Sequence, residues 1–344
     1  MKSEKTKSYN LGIAFSFFQS WLSGTLEIYK KVGEDQVIQK TLAPSTGANY
    51  VAINDGDVNN SGWELSVNVN PIRGKDWNWG ISFNTAKNYN KVKNAGEELS
   101  VTWSDYVNGT LVRNGRSINS FYAYRFKGLN DEGLPTFYGE SEKDEDGVAT
   151  TQEEAFDAAF VYAGRREPTL SGGFSTNVRF KRLTMNANFS FALGNKIRLN
   201  NLYYESGQAL PFPQQNMSSE FVDRWREPGD DTVIPALSDD AMTFGPYDRK
   251  YPIANNRWDM YNKSDIRVVS GSFLRCRSMS VRYDLKREWL KPLYLKGASI
   301  SFDAGNVFVI KDKALKGRDP EQIGLGSRSI PPQRSYSLRF NITL

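Results

Sequence analysis

The side chains with most to offer a ligand are six aromatic and basic residues in polar, irregular stretches: Trp103, Tyr122, Tyr124, Arg224, Trp225 and Arg226. Flat rings could stack on sugar rings, and guanidinium groups could meet carboxylates through paired N–H donors. The competing reading is that these residues pack the loops together or meet another protein. Catalysis has much less to work with. The chain contains no histidine, which removes the commonest general base and transition-metal ligand. Asp and Glu are too common and too dispersed to nominate a catalytic pair, and no phosphate-cradling glycine loop or metal-spaced cluster occurs. The acidic stretch Glu140-Ser-Glu-Lys-Asp-Glu-Asp146 lacks the spacing and the closing Glu of an EF-hand loop, so it reads as solvated charge. The single cysteine, Cys276, allows no intrachain disulfide and reads as a small buried or lipid-facing thiol. The expectation is a chain that is not an enzyme and has no catalytic residue, cofactor or metal.

The elements that must hold those loops are strands. In the last ten residues Tyr336, Leu338, Phe340, Ile342 and Leu344 fall on one side of an extended chain, and Ser335, Ser337, Arg339, Asn341 and Thr343 on the other. The same alternation recurs at Tyr9 to Phe17, Leu22 to Ile28, Trp63 to Val69, Trp77 to Phe83, Leu170 to Phe180, Leu183 to Leu193, Ser272 to Tyr283 and Leu293 to Val309. Between them lie a polar stretch at 32–61, two long insertions at about 91–167 and 196–269, and a final loop at 311–334. A short helix is expected at Gln152 to Tyr162.

Composition separates the candidate classes. The chain has 344 residues, 39% of them hydrophobic, and a mean hydropathy of −0.56, which in most proteins argues for solubility. It does not do so for a membrane barrel, where only alternate residues of each strand meet lipid and the loops are polar. No run approaches the roughly 20 apolar residues of a membrane helix. The formal charge of +5 comes from 44 basic and 39 acidic residues that are interspersed, which gives no nucleic-acid face. The aromatic fraction is 13%, and Trp63, Trp77 and Trp79 near strand ends fit an interfacial girdle better than ligand contact.

Short and long connections alternate along the chain, as in an outer-membrane barrel with short periplasmic turns and long extracellular loops. This predicts an all-β, antiparallel transmembrane barrel portion of roughly nine strands. Lipid offers no partner to an open sheet edge, and bacterial single-chain barrels have even strand numbers. No export signal is visible near Met1-Lys-Ser-Glu-Lys-Thr-Lys. Together these predict that residues 1–344 are the C-terminal part of a longer barrel.

Particular motifs sharpen the reading. Ser272-Phe-Leu-Arg275 leads to Tyr283, Asn306-Val-Phe308 precedes Gly317-Arg-Asp-Pro-Glu321, and Pro331-Pro-Gln-Arg-Ser-Tyr336 enters the last strand. Upstream stand Arg224-Trp225 with Pro228-Gly-Asp230 and Ile234-Pro235, Asn60-Ser-Gly-Trp-Glu64, and Asn88-Tyr-Asn-Lys-Val92. Gly128-Leu-Asn130 with Gly133-Leu-Pro135, and Pro168 before Gly172-Gly-Phe174, complete the set. In order and spacing these resemble the C-terminal barrel half of SusC/RagA-family TonB-dependent transporters of Bacteroidetes. Departures are Leu344, where an aromatic is usual, and Cys276 and Ser278 in a strand that is normally more apolar.

The resemblance implies a portion of an incomplete barrel of about 22 strands in the Gram-negative outer membrane. The signal peptide, the plug domain and the N-terminal strands would be absent from this chain. It implies import of oligosaccharides or peptides with a SusD-like surface lipoprotein, energised by the TonB complex acting through the missing N-terminal half. The chain alone would not be transport-competent. The alternative is a soluble all-β ligand-binding or adhesin module, in which the apolar ribbons would pair in a core between two sheets.

Overall fold

The computed structural model describes residues 2–42, 44–48, 50–96, 101–139, 143–144, 147–148, 151–203, 216–237, 256–323 and 330–344. Nine strands make the frame: β1 (Lys5–Phe17), β2 (Leu22–Thr41), β3 (Tyr50–Arg73), β4 (Trp77–Asn94), β5 (Leu170–Phe180), β6 (Leu183–Leu193), β7 (Phe273–Asp284), β8 (Gly297–Lys311) and β9 (Ser335–Thr343). They form one sheet in chain order, every neighbouring pair antiparallel. In such a meander all the short connections fall at one end and all the long ones at the other. The turns at 18–21, 74–76 and 181–182 and the connection 285–296 share the first end.

Register shows why the alternation matters. Phe15, Gly24, Val67, Phe83, Phe174, Phe189, Cys276 and Phe308 are successive cross-strand partners from β1 to β8. One residue further along lies Ser16, Ser23, Asn68, Ser82, Ser175, Asn188, Ser278, Gly305 and Ser335, a polar row through all nine strands. Because cross-strand partners share a face, the sheet has one apolar and one polar surface. Rings stack along the apolar side, with Phe174 and Phe189 centroids 4.4 Å apart and Trp77 and Phe180 4.5 Å apart. Side-chain hydrogen bonds knit the polar side: Ser82 donates to Asn68 (2.7 Å) and Asn188 to Ser278 (2.9 Å). Gly24 leaves room for the Phe15 ring, since a Cβ there would meet the Phe15 Cζ at 2.7 Å.

The apolar surface stays uncovered among the described residues. On β9, Tyr336, Leu338, Phe340 and Ile342 are each at least 60% exposed. Two stacked sheets sharing a dry core, which a soluble sandwich requires, are not found. No helix among the described residues is long and apolar enough to cross a membrane, which leaves strands as the means of crossing. At the short-turn end Phe18, Trp21, Trp77, Trp289 and Tyr294 are exposed, where amphipathic rings sit at a bilayer boundary.

Two elements differ from expectation. The stretch 32–61 was expected as a loop, but β2 and β3 remain paired far into it, as Lys40↔Val51 and Thr41↔Tyr50 show. Backbone pairing in water needs no apolar alternation, so hydropathy gives no sign of it. The expected helix at Gln152 to Tyr162 ends earlier. α2 (Gln152–Ala159), introduced below, gives way to a strand at Phe160–Arg165.

Candidate functional site

The long connections fold into one body at their end of the sheet. Its helices are α1 (Trp103–Asn108), α2 and α3 (Arg257–Asn262), the last two properly capped. Thr151 accepts from the Glu154 N–H while Glu154 reaches back to the Thr151 N–H. Asn256 accepts from the N–H groups of Trp258 and Asp259. The strand Ser120–Tyr124 pairs with Phe160–Arg165. Buried together are Tyr106, Tyr122, Tyr124, Phe156, Phe160, Tyr203, Phe221, Trp258 and Tyr261, contributed by both large insertions.

Polar contacts join the insertions as well. The Arg198 guanidinium donates to the carbonyls of Val107 and Tyr122, both at 2.8 Å. The Tyr124 N–H donates to the Lys263 carbonyl at 3.1 Å. The fully buried Asn262 accepts from the Leu202 and Tyr203 N–H groups and donates to the Tyr203 carbonyl. Each of these satisfies a buried backbone group that would otherwise be costly to desolvate.

The six ligand candidates have unlike positions. Tyr122 and Tyr124 are interior. Tyr124 is 0% exposed, and burial pushes its hydroxyl well above the usual tyrosine range. Trp103 is half-buried at the start of α1 against the same core. Arg224 is half-buried and donates to the Phe221 carbonyl at 3.0 Å. Trp225 lies over Gly133, whose φ of +73° and missing Cβ make room for the indole. Arg226 is exposed, donating to the Val222 carbonyl at 3.0 Å, while its N–H meets Asp230 at 2.7 Å. The structure brings Tyr122 and Tyr124 together with Trp103 and leaves the 224–226 group apart on its own turn. The acidic stretch at 140–146 falls largely outside the described residues. Among the described residues no cluster of acidic or cysteine side chains could hold a metal ion.

Sequence reasoning did not find the buried charges beneath this body. Arg275 on β7 meets Asp319 at 2.6 Å and Glu321 at 2.7 Å, and Arg277 also pairs with Glu321. A bulge at Cys276–Ser278 lets Arg275 and Arg277 serve one carboxylate. It also lodges Cys276, fully buried, in the apolar row between Phe189 and Phe308. Nearby, Glu220 binds Arg267 at 2.5 Å and also Arg318. Burial pushes the Glu220 carboxyl up, but the two guanidinium groups outweigh it and hold the group below its ordinary range. The signal was available: Arg275 ends the Ser-Phe-Leu-Arg motif, and Asp319 and Glu321 are the acids of Asp-Pro-Glu. These two motifs, far apart in the chain, are the halves of one contact.

The arrangement as a whole is a wall that faces lipid on one side and carries a welded loop body at one end. Residues 1–130 match the family model described as TonB dependent receptor-like, beta-barrel. The chain belongs to the TonB-dependent receptor family of outer-membrane β-barrels. Among TonB-dependent receptors, P3 of Formosa agariphila is 25% identical over 99% of this chain and 34% of its own length. TonB-dependent receptor SusC of Bacteroides thetaiotaomicron is 24% identical over 99% of this chain and 32% of its own. The solved RagAB peptide transporter superposes with a TM-score of 0.69 at 23% identity, covering 98% of this chain and 35% of that one. The chain thus spans about a third of the length of the curated relatives it matches.

Proposed function

We propose that the chain is the C-terminal wall and extracellular-loop portion of a TonB-dependent importer of oligosaccharides or peptides. In this reading it works with a SusD-like surface lipoprotein, and the energy-coupling segment and plug lie in the other part of the receptor. The observation that carries it is the pairing of an uncovered apolar sheet face with a loop body confined to one end. A barrel wall must have such a face, and a receptor must present such a body outside the cell. The names of the relatives support the cargo class: SusC among the receptors, and a peptide transporter among the solved structures.

The two unpaired edges of the sheet, on β1 and β9, are where the remaining strands would add. The test is uptake of labelled oligosaccharides and short peptides by cells expressing the receptor and its adjacent lipoprotein, with and without an uncoupler of the inner-membrane proton gradient. Uptake that collapses on uncoupling, and on deletion of the lipoprotein, is the expected result. Concentrative uptake by residues 1–344 alone in proteoliposomes would sink the proposal.

A further inference from the structure

A cavity of about 970 Å³ lies between the wall and the loop body, within the size range of small-ligand sites. Its floor includes Ala192 and Phe273, one side is the segment Asn195 to Asn201, and Pro320, Glu321 and Ile323 close it. Arg166, Lys196 and Arg198 all line it. Glu321 is the acid of the lining, and its charge is already matched by Arg275 and Arg277. Arg166 and Lys196 make no ion pair among the described residues. Arg166 donates to the Asn108 carbonyl at 2.6 Å, and Lys196 is exposed to the cavity solvent. The lining therefore carries a net positive charge, in a recess where nearby apolar walls weaken screening.

A second feature is independent of charge. Asn195 is buried, and its amide oxygen has no hydrogen-bond donor among the described residues. A buried acceptor without a donor costs free energy that an incoming hydroxyl would recover. Asn200 adds a further carboxamide, a group that both donates and accepts. The apolar lining is spent on the protein's own packing, since Phe121, Ile197, Leu199 and Ile323 are all buried. That leaves little apolar surface for the side chains of a peptide.

We infer that this cavity is a subsite for an acidic oligosaccharide, a uronate unit whose carboxylate meets Lys196 and Arg166 and whose hydroxyl donates to Asn195. The inference rests on the importer reading only for its biological setting, because the chemistry is a matter of equilibrium binding. The test is calorimetric titration of the complete receptor complex, purified in detergent, with trigalacturonate, its fully methyl-esterified form, maltotriose and a tri-aspartate peptide. Trigalacturonate should bind, more weakly as salt rises, and esterification or Lys196→Gln should each weaken it by about tenfold. Asn195→Ala should weaken both the charged and the esterified form, and a heat-modifiability shift on gels shows that each variant is folded. Equal binding of the ester, tighter binding of tri-aspartate, insensitivity to Lys196→Gln in folded protein, or no trigalacturonate binding at about 1 mM would each overturn the assignment. A receptor that imports a neutral cargo refutes the subsite and spares the importer. Uronate binding without uptake does the reverse.

Discussion

Arg275 on β7 and Asp319 in the last long loop meet at 2.6 Å, with both side chains almost wholly removed from water. The pair ties a loop to the polar face of the wall, and Glu321 and Arg277 widen the tie. Burying ions is expensive, so the arrangement says more about where the loop must sit than about net stability.

Breaking that pair should free the loop. Asp319→Asn leaves Arg275 buried with one carboxylate instead of two and should cost about 3–5 kcal/mol locally. The readout is limited proteolysis of the detergent-purified receptor, with faster cleavage expected between 312 and 334. The double change Arg275→Met with Asp319→Leu should recover most of the protection, because it removes both desolvated charges. Equal cleavage of wild type and Asp319→Asn would show that the contact does not hold the loop.

Phe174 and Ser175 are neighbours on β5 that belong to opposite faces, Phe174 stacked on Phe189 and Ser175 beside Asn188. Phe174→Arg places a cation in the lipid-facing row and should cost about 2–4 kcal/mol if it lies near the bilayer midplane. Ser175→Arg should cost far less. Folding titrations of the receptor into liposomes compare the two directly, and a larger penalty at Ser175 would mean that the faces have been assigned the wrong way round.

Glu220 makes the loop body acid-sensitive. Its folded carboxyl titrates below the ordinary value of 4.5, so its contribution is complete above that value and is lost as pH falls through the depressed one. Hydrogen exchange in residues 256–267, which include its partner Arg267, should therefore accelerate below pH 4.5 and stay flat above it. Glu220→Gln should raise exchange at neutral pH and remove most of the acid limb. An acid limb of unchanged size in that variant would assign the sensitivity to another group.

Much of the wall was legible because lipid imposes a period of two. Every alternating run, from Tyr9 to Phe17 through Tyr336 to Leu344, became a strand in the expected order. The outer parts of β2 and β3 were not legible, since strands standing in water keep their backbone bonds whatever their side chains. The loops resisted for another reason. Tyr122 and Tyr124 read as ring surfaces for a ligand, yet they are core residues, because an aromatic in an irregular segment carries no periodicity to reveal which way it faces. Arg224 and Arg226, three bonds of chain away from Trp225 on either side, illustrate the converse: one is tucked against Phe221 and the other stands in solvent.

The aromatic interior shared by the two large insertions has a consequence for how such receptors diversify. Tyr106 and Phe160 come from one insertion and Tyr203 and Trp258 from the other, so neither segment has a complete interior by itself. Exchanging a single insertion with a relative would expose half of a foreign core. New specificities in this lineage would then arise by swapping both segments as a cassette, or by changing only the residues that line the space beneath them.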